Sequence, residues 1–383
     1  MTERREENIP TTVPQEAKRV GDIRDRWFWV EPNVWTERML TALETGVKGG
    51  RWYSLMDKVY SKDNLRSAFI KVAANKGSPG IDHQTVKMFE TNLETNLDRL
   101  SQWLQEGRYR PQAIKRVWIP KPGSKEKRPL GIPTVRDRVV QAAVRHVLEP
   151  VFEKDFADHS YGFRPGRGCK DALRQVDLLL KQGYTYVVDA DLKSYFDTIP
   201  HDKLMDRMRN RIADNRILEL VEMYLKQQIM ETTSSWTPET GTPQGAVLSP
   251  LLSNIYLNPL DHLMAQSGFK MVRYADDFVI LCRSQAEALI ALGLVQIWTG
   301  DAGLVLHPAK TRIVDTLAKG GFDFLGYHFE RGMRWSRRKS DKKLKDSIRA
   351  KTKRTNGHSL LAIITETNPF LKGWFECFKH GSR

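Results

Sequence analysis

Two adjacent aspartates lie between two short apolar segments, and this arrangement constrains the fold of the chain more than any other feature. The segments Met271-Val272-Arg273-Tyr274 and Phe278-Val279-Ile280-Leu281 have the composition of β-strands, and only Ala275-Asp276-Asp277 separates them. The pattern predicts a β-hairpin with the aspartates at its turn. Two carboxylates about 4 Å apart repel each other by roughly 4 kcal/mol at an effective dielectric constant near 20. The turn therefore needs a nearby cation or exposure to solvent, and a plain polar turn is the alternative interpretation.

A second acidic strand end lies upstream of this hairpin. The β-branched segment from Tyr184 to Asp191 is predicted to be a strand, with Asp189 and Asp191 at its end. Carboxylate oxygens from two strands can hold two divalent cations close together. Such a pair of cations activates a 3′-hydroxyl group and stabilises a leaving pyrophosphate, which is the chemistry of nucleotidyl transfer.

Two further segments carry side chains that suit a nucleoside triphosphate. Lys121 and Arg128 flank a predicted turn after the strand Val117-Trp118-Ile119-Pro120, and their cationic groups could bind a triphosphate. The turn Gly241-Thr242-Pro243-Gln244-Gly245 offers backbone N–H groups and a side-chain amide to a nucleotide. Surface cations and an ordinary turn are the alternative interpretations.

The charge of the chain favours a polyanionic partner. Its 383 residues carry a formal net charge of +15, and residues 331–354 hold twelve Lys and Arg against two Asp. Nucleic acid is the first candidate and an anionic membrane surface the second. A solvated face or a linker is the ordinary interpretation of such a run, but Trp335 within it could stack on a base or a sugar.

Length and cysteine content set the remaining limits. A chain of this length predicts two or three packed units. It contains no apolar stretch that could span a bilayer and no signal-peptide core. Three scattered cysteines form no ligand set, which indicates reduced thiols in a cytosolic protein.

The secondary-structure pattern predicts an α+β fold in which strands pair across intervening helices. Helices are expected at about 202–228, 246–265 and 284–302, and a strand is expected over 322–329. Asn368 and Pro369 are a suitable N-cap and first residue for a C-terminal helix.

Several blocks of the sequence, taken together, resemble bacterial group II intron reverse transcriptase–maturases over roughly residues 75–330. The catalytic signature is Tyr274-Ala275-Asp276-Asp277. The other blocks, in the order of that family, are Gly77-Ser78-Pro79-Gly80-Ile81-Asp82, Arg128-Pro129-Leu130-Gly131-Ile132-Pro133-Thr134, Ser160-Tyr161-Gly162-Phe163-Arg164-Pro165-Gly166-Arg167, Asp189-Ala190-Asp191-Leu192-Lys193, Thr242-Pro243-Gln244-Gly245 and Phe324-Leu325-Gly326-Tyr327. Asn368 to Phe375 is similar to the thumb or maturase segment of intron-encoded proteins.

The resemblance implies a role for individual residues. Asp191, Asp276 and Asp277 would be catalytic and, with Leu192, would bind two Mg²⁺ ions, for which Mn²⁺ could substitute. Asp191 is chosen over Asp189 because an aromatic that excludes a 2′-hydroxyl group, here Phe196, then follows five residues later; a slip of one residue stays open. The implied nucleotide-binding residues are Lys121, Arg128, Phe196, Gln244 and Lys310. The implied nucleic-acid-binding residues are Arg164, Arg167, Arg337, Arg338 and Lys339.

Alternatives remain for some of these residues. Phe196 could be a core aromatic beside Tyr195, and Lys310, implied to protonate or neutralise pyrophosphate, could be a solvated lysine. Arg164 and Arg167 could hold their own loop in place rather than contact the template.

The fold implied by the resemblance is a right-hand polymerase with fingers, an antiparallel palm and a helical thumb. The expected segments are a disordered tail (1–26), a helical N-terminal extension (27–74), fingers and palm (75–315), and a thumb with a truncated maturase-like segment (316–383).

The implied activity is RNA-directed DNA synthesis within a group II intron ribonucleoprotein, for retrohoming and splicing assistance. The partners would be intron RNA as template, a DNA primer or target and deoxynucleoside triphosphates, with no membrane, in a cytoplasmic, nucleoid-associated particle. The sequence contains no His-Asn-His or Cys-pair nuclease module, so strand cleavage is not expected, and the short maturase segment puts splicing in doubt. A splicing chaperone without synthesis, or a domesticated reverse transcriptase in phage defence or repair, are the alternatives.

Overall fold

The computed structural model of the protein describes residues 22–120, 127–379 and 381. In this part of the chain helices alone precede the first strand, and helices and strands are mixed after it. The α-helices are α1 Asp22–Arg26, α2 Glu37–Thr45, α3 Met56–Tyr60, α4 Lys62–Ala74, α5 Val86–Thr91, α6 Leu93–Gln105, α7 Val135–Glu153, α8 Cys169–Lys181, α9 Tyr195–Thr198, α10 His201–Arg209, α11 Asn215–Leu225, α12 Ser249–Gln266, α13 Gln285–Asp301, α14 Arg338–Lys351 and α15 Leu360–Phe378.

Three sheets account for the strands of the described residues. The strands are β1 Ile114–Pro120, β2 Lys127–Ile132, β3 Tyr186–Asp191, β4 Ile229–Glu231, β5 Ser234–Trp236, β6 Lys270–Tyr274, β7 Asp277–Cys282, β8 Arg312–Asp315, β9 Phe322–Phe324, β10 Tyr327–Glu330 and β11 Met333–Ser336. Their orders within the sheets are β2-β1-β4-β5, β6-β7-β3-β8 and β11-β10-β9. The expected α+β combination of elements is present.

The first compact unit comprises residues up to 117, 130–156 and 196–256. Its core is built around α7, whose residues are mostly buried and against which α4 packs. Thr134 caps α7 by accepting a hydrogen bond from the Asp137 N–H at 3.3 Å. The helical pattern expected for residues 27–74 is confirmed by α2, α3 and α4.

The second compact unit comprises residues 118–129, 157–195 and 257–383. The sheet β6-β7-β3-β8 is antiparallel throughout, and α8 packs on β6 and β7. Side chains from α8, from this sheet and from β9 and β10 form one buried apolar cluster. The strand pairs join residues that are far apart in the sequence, because β3 pairs with β7 and β8, about 90 and 125 residues later.

Each unit is assembled from three separate stretches of chain, so the compact units are not the four consecutive segments expected from the sequence. The first of those segments also needs a correction, because α1 begins at Asp22, where a disordered tail was expected to continue to residue 26. The polymerase roles given to the other segments stay predictions.

Three expected elements have different limits in the structure. The single helix at about 202–228 is two helices, α10 and α11, because Asp214 caps a new helix by accepting from the N–H groups of Arg216 and Ile217. The strand over 322–329 is a hairpin of β9 and β10, with Leu325 and Gly326 both at positive φ in its turn.

The C-terminal helix begins earlier than expected. Ser359, not Asn368, is its N-cap, since the Ser359 hydroxyl accepts from the Ala362 N–H at 3.3 Å. Pro369 lies inside α15 rather than at its first turn. In the part of the chain that the structure describes, no helix has both the length and the apolar character needed to cross a membrane.

Candidate active site

The register of the second unit's sheet brings the predicted acidic residues together. Asp191, the last residue of β3, is the cross-strand partner of Asp277, the first residue of β7. Asp277 also pairs with Tyr274 of β6, so that Ala275 and Asp276 form the turn between β6 and β7. Directly opposed residues of an antiparallel pair have Cβ atoms about 4.5–5.5 Å apart. The hairpin predicted from the sequence is confirmed, and its turn lies beside the end of β3.

The carboxyl groups at this end of the sheet are crowded. Burial, together with the negative charges of Asp189, Asp276 and Asp191, raises the pKa of Asp277 to about 7. Burial is also the main cause of the raised pKa of Asp276, to which the charge of Asp191 adds. The positive charge of the Arg337 guanidinium partly offsets the rise in the pKa of Asp277. Burial and the crowding of negative charges both disfavour the ionised forms of these carboxyl groups.

Lys310 is paired directly with the acidic end of β3. Its Nζ lies 2.5 Å from Oδ2 of Asp191, and its side chain is 60% exposed. Backbone pairing sets this position, because His307 N–H donates to the Asp191 carbonyl at 2.7 Å and Leu192 forms a bridge with Leu306. Leu192 is buried. The sequence placed Lys310 in the site, and the structure brings it to one of the three aspartates.

Asp189 has a separate cationic partner. It is the cross-strand neighbour of Arg312 in β8, and the Arg312 Nε lies 3.3 Å from Asp189 Oδ2. Burial raises the pKa of Asp189, and Arg312 counteracts that rise. Because Asp191 rather than Asp189 lies opposite Asp277, the geometry favours Asp191 as the acidic residue of the site.

A buried ion pair, which sequence reasoning missed, holds the turn between β6 and β7. Arg273 and Asp261 have fully buried side chains and form two hydrogen bonds, Nε to Oδ1 at 2.7 Å and Nη2 to Oδ2 at 2.5 Å. Arg273 also donates to the Ser160 hydroxyl and to the Ala275 carbonyl, both at 2.7 Å. The arginine thus fixes the backbone immediately before Asp276. In the sequence, only the position of Arg273 next to the Tyr274-Ala275-Asp276-Asp277 motif could have indicated this role.

The loop that begins at Ser160 packs against the same turn. A Cβ atom at Gly162 would lie 2.2 Å from the Ala275 nitrogen, so only glycine fits there. Arg164 is buried and donates to the carbonyls of Ala157 and Ser160, at 2.6 and 2.8 Å. Arg167 pairs with Asp158 at 3.1 Å. Both arginines therefore hold their own loop, through carbonyl groups more than through acids, and template contact by either stays a prediction.

The expected nucleotide-binding residues of the first unit lie in one local structure. The Thr242 N–H donates to the carbonyl of Phe196 at 2.6 Å, and the Gly131 N–H donates to the carbonyl of Gln244 at 2.6 Å. Phe196 is only partly buried, whereas Tyr195 is 2% exposed and is the core aromatic of this segment. This difference counts against the core interpretation of Phe196.

The remaining predicted residues are solvent-facing or outside the described chain. Arg128 is exposed on β2, and Lys121 lies outside the described residues. Arg338 and Lys339 are exposed at the start of α14, and Arg337 is the N-cap residue of that helix.

The acidic cluster has the donor chemistry of a divalent cation site. Its groups are carboxylate oxygens, the ligands that Mg²⁺ prefers, and burial together with mutual repulsion raises the pKa values of Asp276 and Asp277. Across residues 22–120, 127–379 and 381, however, no three Asp, Glu, His or Cys side chains are already arranged to hold an ion. One oxygen of Asp191 is instead occupied by the Lys310 ammonium.

Comparison with known proteins identifies the same regions. A family model described as reverse transcriptase (RNA-dependent DNA polymerase) matches residues 119–329. A second model, described as the maturase-specific domain of group II introns, matches residues 341–383. The first model covers more than half of the chain and includes every aspartate of the cluster.

The chain is also similar to individual proteins. The chain is 36% identical over 302 residues to Protein YkfC of Escherichia coli K12, a match that covers 67% of this chain and 78% of YkfC. It is 38% identical over 208 residues to the group II intron-encoded protein LtrA of Lactococcus lactis subsp. cremoris, covering 54% of this chain and 34% of LtrA. The match thus spans about a third of LtrA. A chain of the partial Cas6-RT-Cas1–Cas2 complex aligns with a TM-score of 0.42 and 25% identity, over 65% of this chain and 41% of that one.

The two family models cover the acidic hairpin, the strand that ends at Asp191 and most of the two C-terminal helices. They confirm the expected right-hand polymerase class of α+β fold. The chain belongs to the reverse transcriptases, the RNA-dependent DNA polymerases, and within them to the group II intron maturase family.

Proposed function

We propose that this chain copies an RNA template into DNA by nucleotidyl transfer at the centre formed by Asp191, Asp276 and Asp277. The observation that carries the proposal is the direct cross-strand pairing of Asp191 with Asp277, beside the turn that holds Asp276. Two strands that are 86 residues apart in the sequence thereby contribute carboxylates to one place. A plain polar turn does not require a second acidic strand end at this position.

Asp191 and Asp276 would hold the divalent ions, with Asp277 beside them and Leu192 as a further ligand. The bound ions would supply activation of a primer 3′-hydroxyl group and stabilisation of charge on the leaving pyrophosphate. The ammonium group of Lys310 lies at Asp191 and is largely exposed, so it can neutralise or protonate a departing phosphate. Arg273 keeps the turn in position through the Ala275 carbonyl.

The remaining predicted residues would bind and select the nucleotide. Phe196 would exclude a 2′-hydroxyl group, Gln244 would lie under the sugar, and Lys121 and Arg128 would bind the triphosphate and base. The support from the structure is local: Phe196 is not a core residue, and backbone hydrogen bonds hold both the Phe196 and the Gln244 segments.

The template would be a group II intron RNA, and the setting a ribonucleoprotein that carries out retrohoming and assists splicing. Support comes from the maturase-specific match over residues 341–383 and from the exposed cations of α14. A splicing role without synthesis is the second candidate, favoured by that same match. The crowded aspartates favour synthesis, because a chaperone has no use for them.

Primer extension tests the proposal. The purified chain would be given a labelled DNA primer annealed to an RNA template, together with deoxynucleoside triphosphates, in Mg²⁺, in Mn²⁺ or in EDTA. We expect extension in either metal and none in EDTA. Binding of the primer–template without extension in either metal would overturn the proposal and leave the splicing role.

A further inference from the structure

Phe163 has a combination of conformation and exposure that the fold alone does not explain. Its φ is +60°, in the left-handed region where glycine is the least strained residue, and its side chain is 42% exposed. A bulky residue in this region is uncommon, and such residues cluster at functional sites because the surrounding structure must hold them there. An exposed ring at a strained position contributes little to folding.

The neighbouring residues show that the ring is not part of the core. Tyr161, two residues earlier, packs against the buried apolar cluster of the second unit, and Phe163 is not a member of that cluster. Within the described chain, no other aromatic ring or cation stacks on Phe163. The ring therefore has accessible aromatic surface that no ring or cation of the described chain stacks on.

The loop around Phe163 is held rigidly. Ser160 forms a parallel bridge with Arg273, and the backbone of Arg273 donates to the His159 carbonyl and accepts from the Tyr161 N–H, at 3.0 and 2.8 Å. On the other side, the buried Arg164 donates to the Ala157 and Ser160 carbonyls. The ring is thus held in position before a ligand binds, and binding requires little ordering of the loop.

The loop also fixes Phe163 close to the catalytic turn. Gly162 approaches the Ala275 backbone so closely that a Cβ atom would overlap it, and Phe163 is the next residue. Phe163 therefore directly follows the residue that contacts the hairpin carrying Asp276. Beside a centre of nucleotidyl transfer, nucleobases are the matching partners of an exposed aromatic ring, because their flat faces stack on it.

We propose that the Phe163 ring is a stacking platform for one nucleobase of the bound primer–template, and that its strained backbone is kept to place the ring beside the catalytic turn. The inference rests on the proposed polymerase function. It adds a binding residue that contacts nucleic acid through a π-face, without selecting a sequence. The template and the primer strands share this chemistry, and the experiment distinguishes them.

Equilibrium binding of a fluorescent RNA-template/DNA-primer duplex, with a single-stranded template extension, tests the proposal. Loss of one base–aromatic stack weakens binding by about tenfold, so Phe163→Ala should raise the Kd by about that factor. Phe163→Trp should bind as the unchanged chain does. Phe163→Gly should bind as weakly as Phe163→Ala but unfold at a higher temperature, because glycine relieves the positive φ.

Abasic substitutions identify the stacked base. A single abasic nucleotide would be moved through the template extension, the paired template and the primer end. At the stacked position the unchanged chain should lose about tenfold in affinity, while Phe163→Ala should lose nothing further. Leu289→Ala, which removes a 56% exposed side chain from the outer face of α13, is the matched control and should show no coupling at any position.

The proposal is overturned if Phe163→Ala binds the intact duplex normally, or if its defect is the same with every abasic duplex. Extension by the unchanged chain is scored separately. Extension without Phe163 coupling refutes the stacking platform alone, whereas coupling without extension refutes the polymerase and leaves a nucleic-acid-binding site.

Discussion

Asp191 of β3 and Asp277 of β7 lie directly opposite each other as cross-strand partners, whereas Asp189, two residues earlier, pairs with Arg312. Alternation along a strand places Asp189 and Asp191 on the same face, but Asp189 lies opposite Val279 of β7, and only Asp191 lies opposite an aspartate of the β6–β7 hairpin. Which aspartate of β3 belongs to the proposed metal site therefore depends on register, and this can be tested by substitution.

We predict that Asp191→Asn lowers the rate of nucleotide incorporation by about a thousandfold or more, because an amide removes a charged ligand worth several kcal/mol at the transition state. Asp189→Asn should cost less than about tenfold, since Asp189 lies opposite Val279 rather than opposite Asp277. Single-turnover primer extension measures both rates. A larger defect in Asp189→Asn than in Asp191→Asn would show that the register assignment is wrong.

Gly162→Ala should displace the catalytic turn. The new methyl group would meet the Ala275 nitrogen at 2.2 Å, and backbone cannot move aside as a flexible side chain can. We expect incorporation to fall by about a hundredfold, as for other misplacements of about 1 Å. Gly293→Ala in α13 is the control, because a Cβ atom there meets nothing within 4 Å. That control should keep its activity and gain about 0.5–1 kcal/mol of stability.

The buried pair of Arg273 and Asp261 allows stability to be separated from activity. Arg273→Met leaves the Asp261 carboxylate unpaired in the core and should lower the free energy of unfolding by about 3–5 kcal/mol. The double variant Arg273→Met, Asp261→Leu should recover most of that loss. It should not recover incorporation, because the Ala275 carbonyl has lost its donor. Urea denaturation and primer extension of the same preparations measure the two quantities, and full activity in the double variant would contradict this role of Arg273.

His146 predicts a pH dependence of stability in the first unit. Asn64 donates its amide N–H groups to the Lys58 and Ala143 carbonyls, so its Oδ1 must accept from His146 Nδ1, at 2.8 Å. Burial lowers the pKa of this imidazole to about 3. Between the unfolded pKa near 6.5 and the folded value, only the unfolded chain takes up this proton, and stability is lost as the pH falls.

From pH 7 to pH 5 this difference amounts to about 2 kcal/mol. His146→Gln, which keeps a donor for Asn64, should unfold with a shallower pH dependence over that range. Urea denaturation at pH 5, 6 and 7 compares the two proteins. Equal slopes would show that His146 takes up its proton over the same pH range in the folded and the unfolded chain, which contradicts the lowered pKa.

Local patterns made the acidic hairpin and the palm strands predictable. An apolar–acidic–apolar segment such as 271–281 has few alternatives to a hairpin, and the β-branched run before Asp191 has few alternatives to a strand. The blocks around them could be assigned together because their order is specific, although each one is short.

Other features depend on contacts that no local pattern encodes. Arg273 and Asp261 are an ordinary arginine in a strand and an ordinary aspartate in a helix until the fold buries both. Arg164 in a Gly- and Pro-rich loop had the sequence of an exposed cation, yet the loop folds back and buries it. Residues 322–329 had continuous strand character, and the break at Leu325-Gly326 follows from the positive φ angles of the turn.

Primer extension by Asp276→Asn tests the central claim most directly, namely that the aspartates at the adjoining strand ends perform nucleotidyl transfer. The substitution keeps the size of the side chain at the turn and removes its charge. We predict that DNA synthesis on an RNA template falls by at least about a thousandfold, while the Kd for primer–template and the unfolding temperature stay unchanged. Synthesis by Asp276→Asn at the rate of the unchanged chain would contradict the assignment of this site as the polymerase centre.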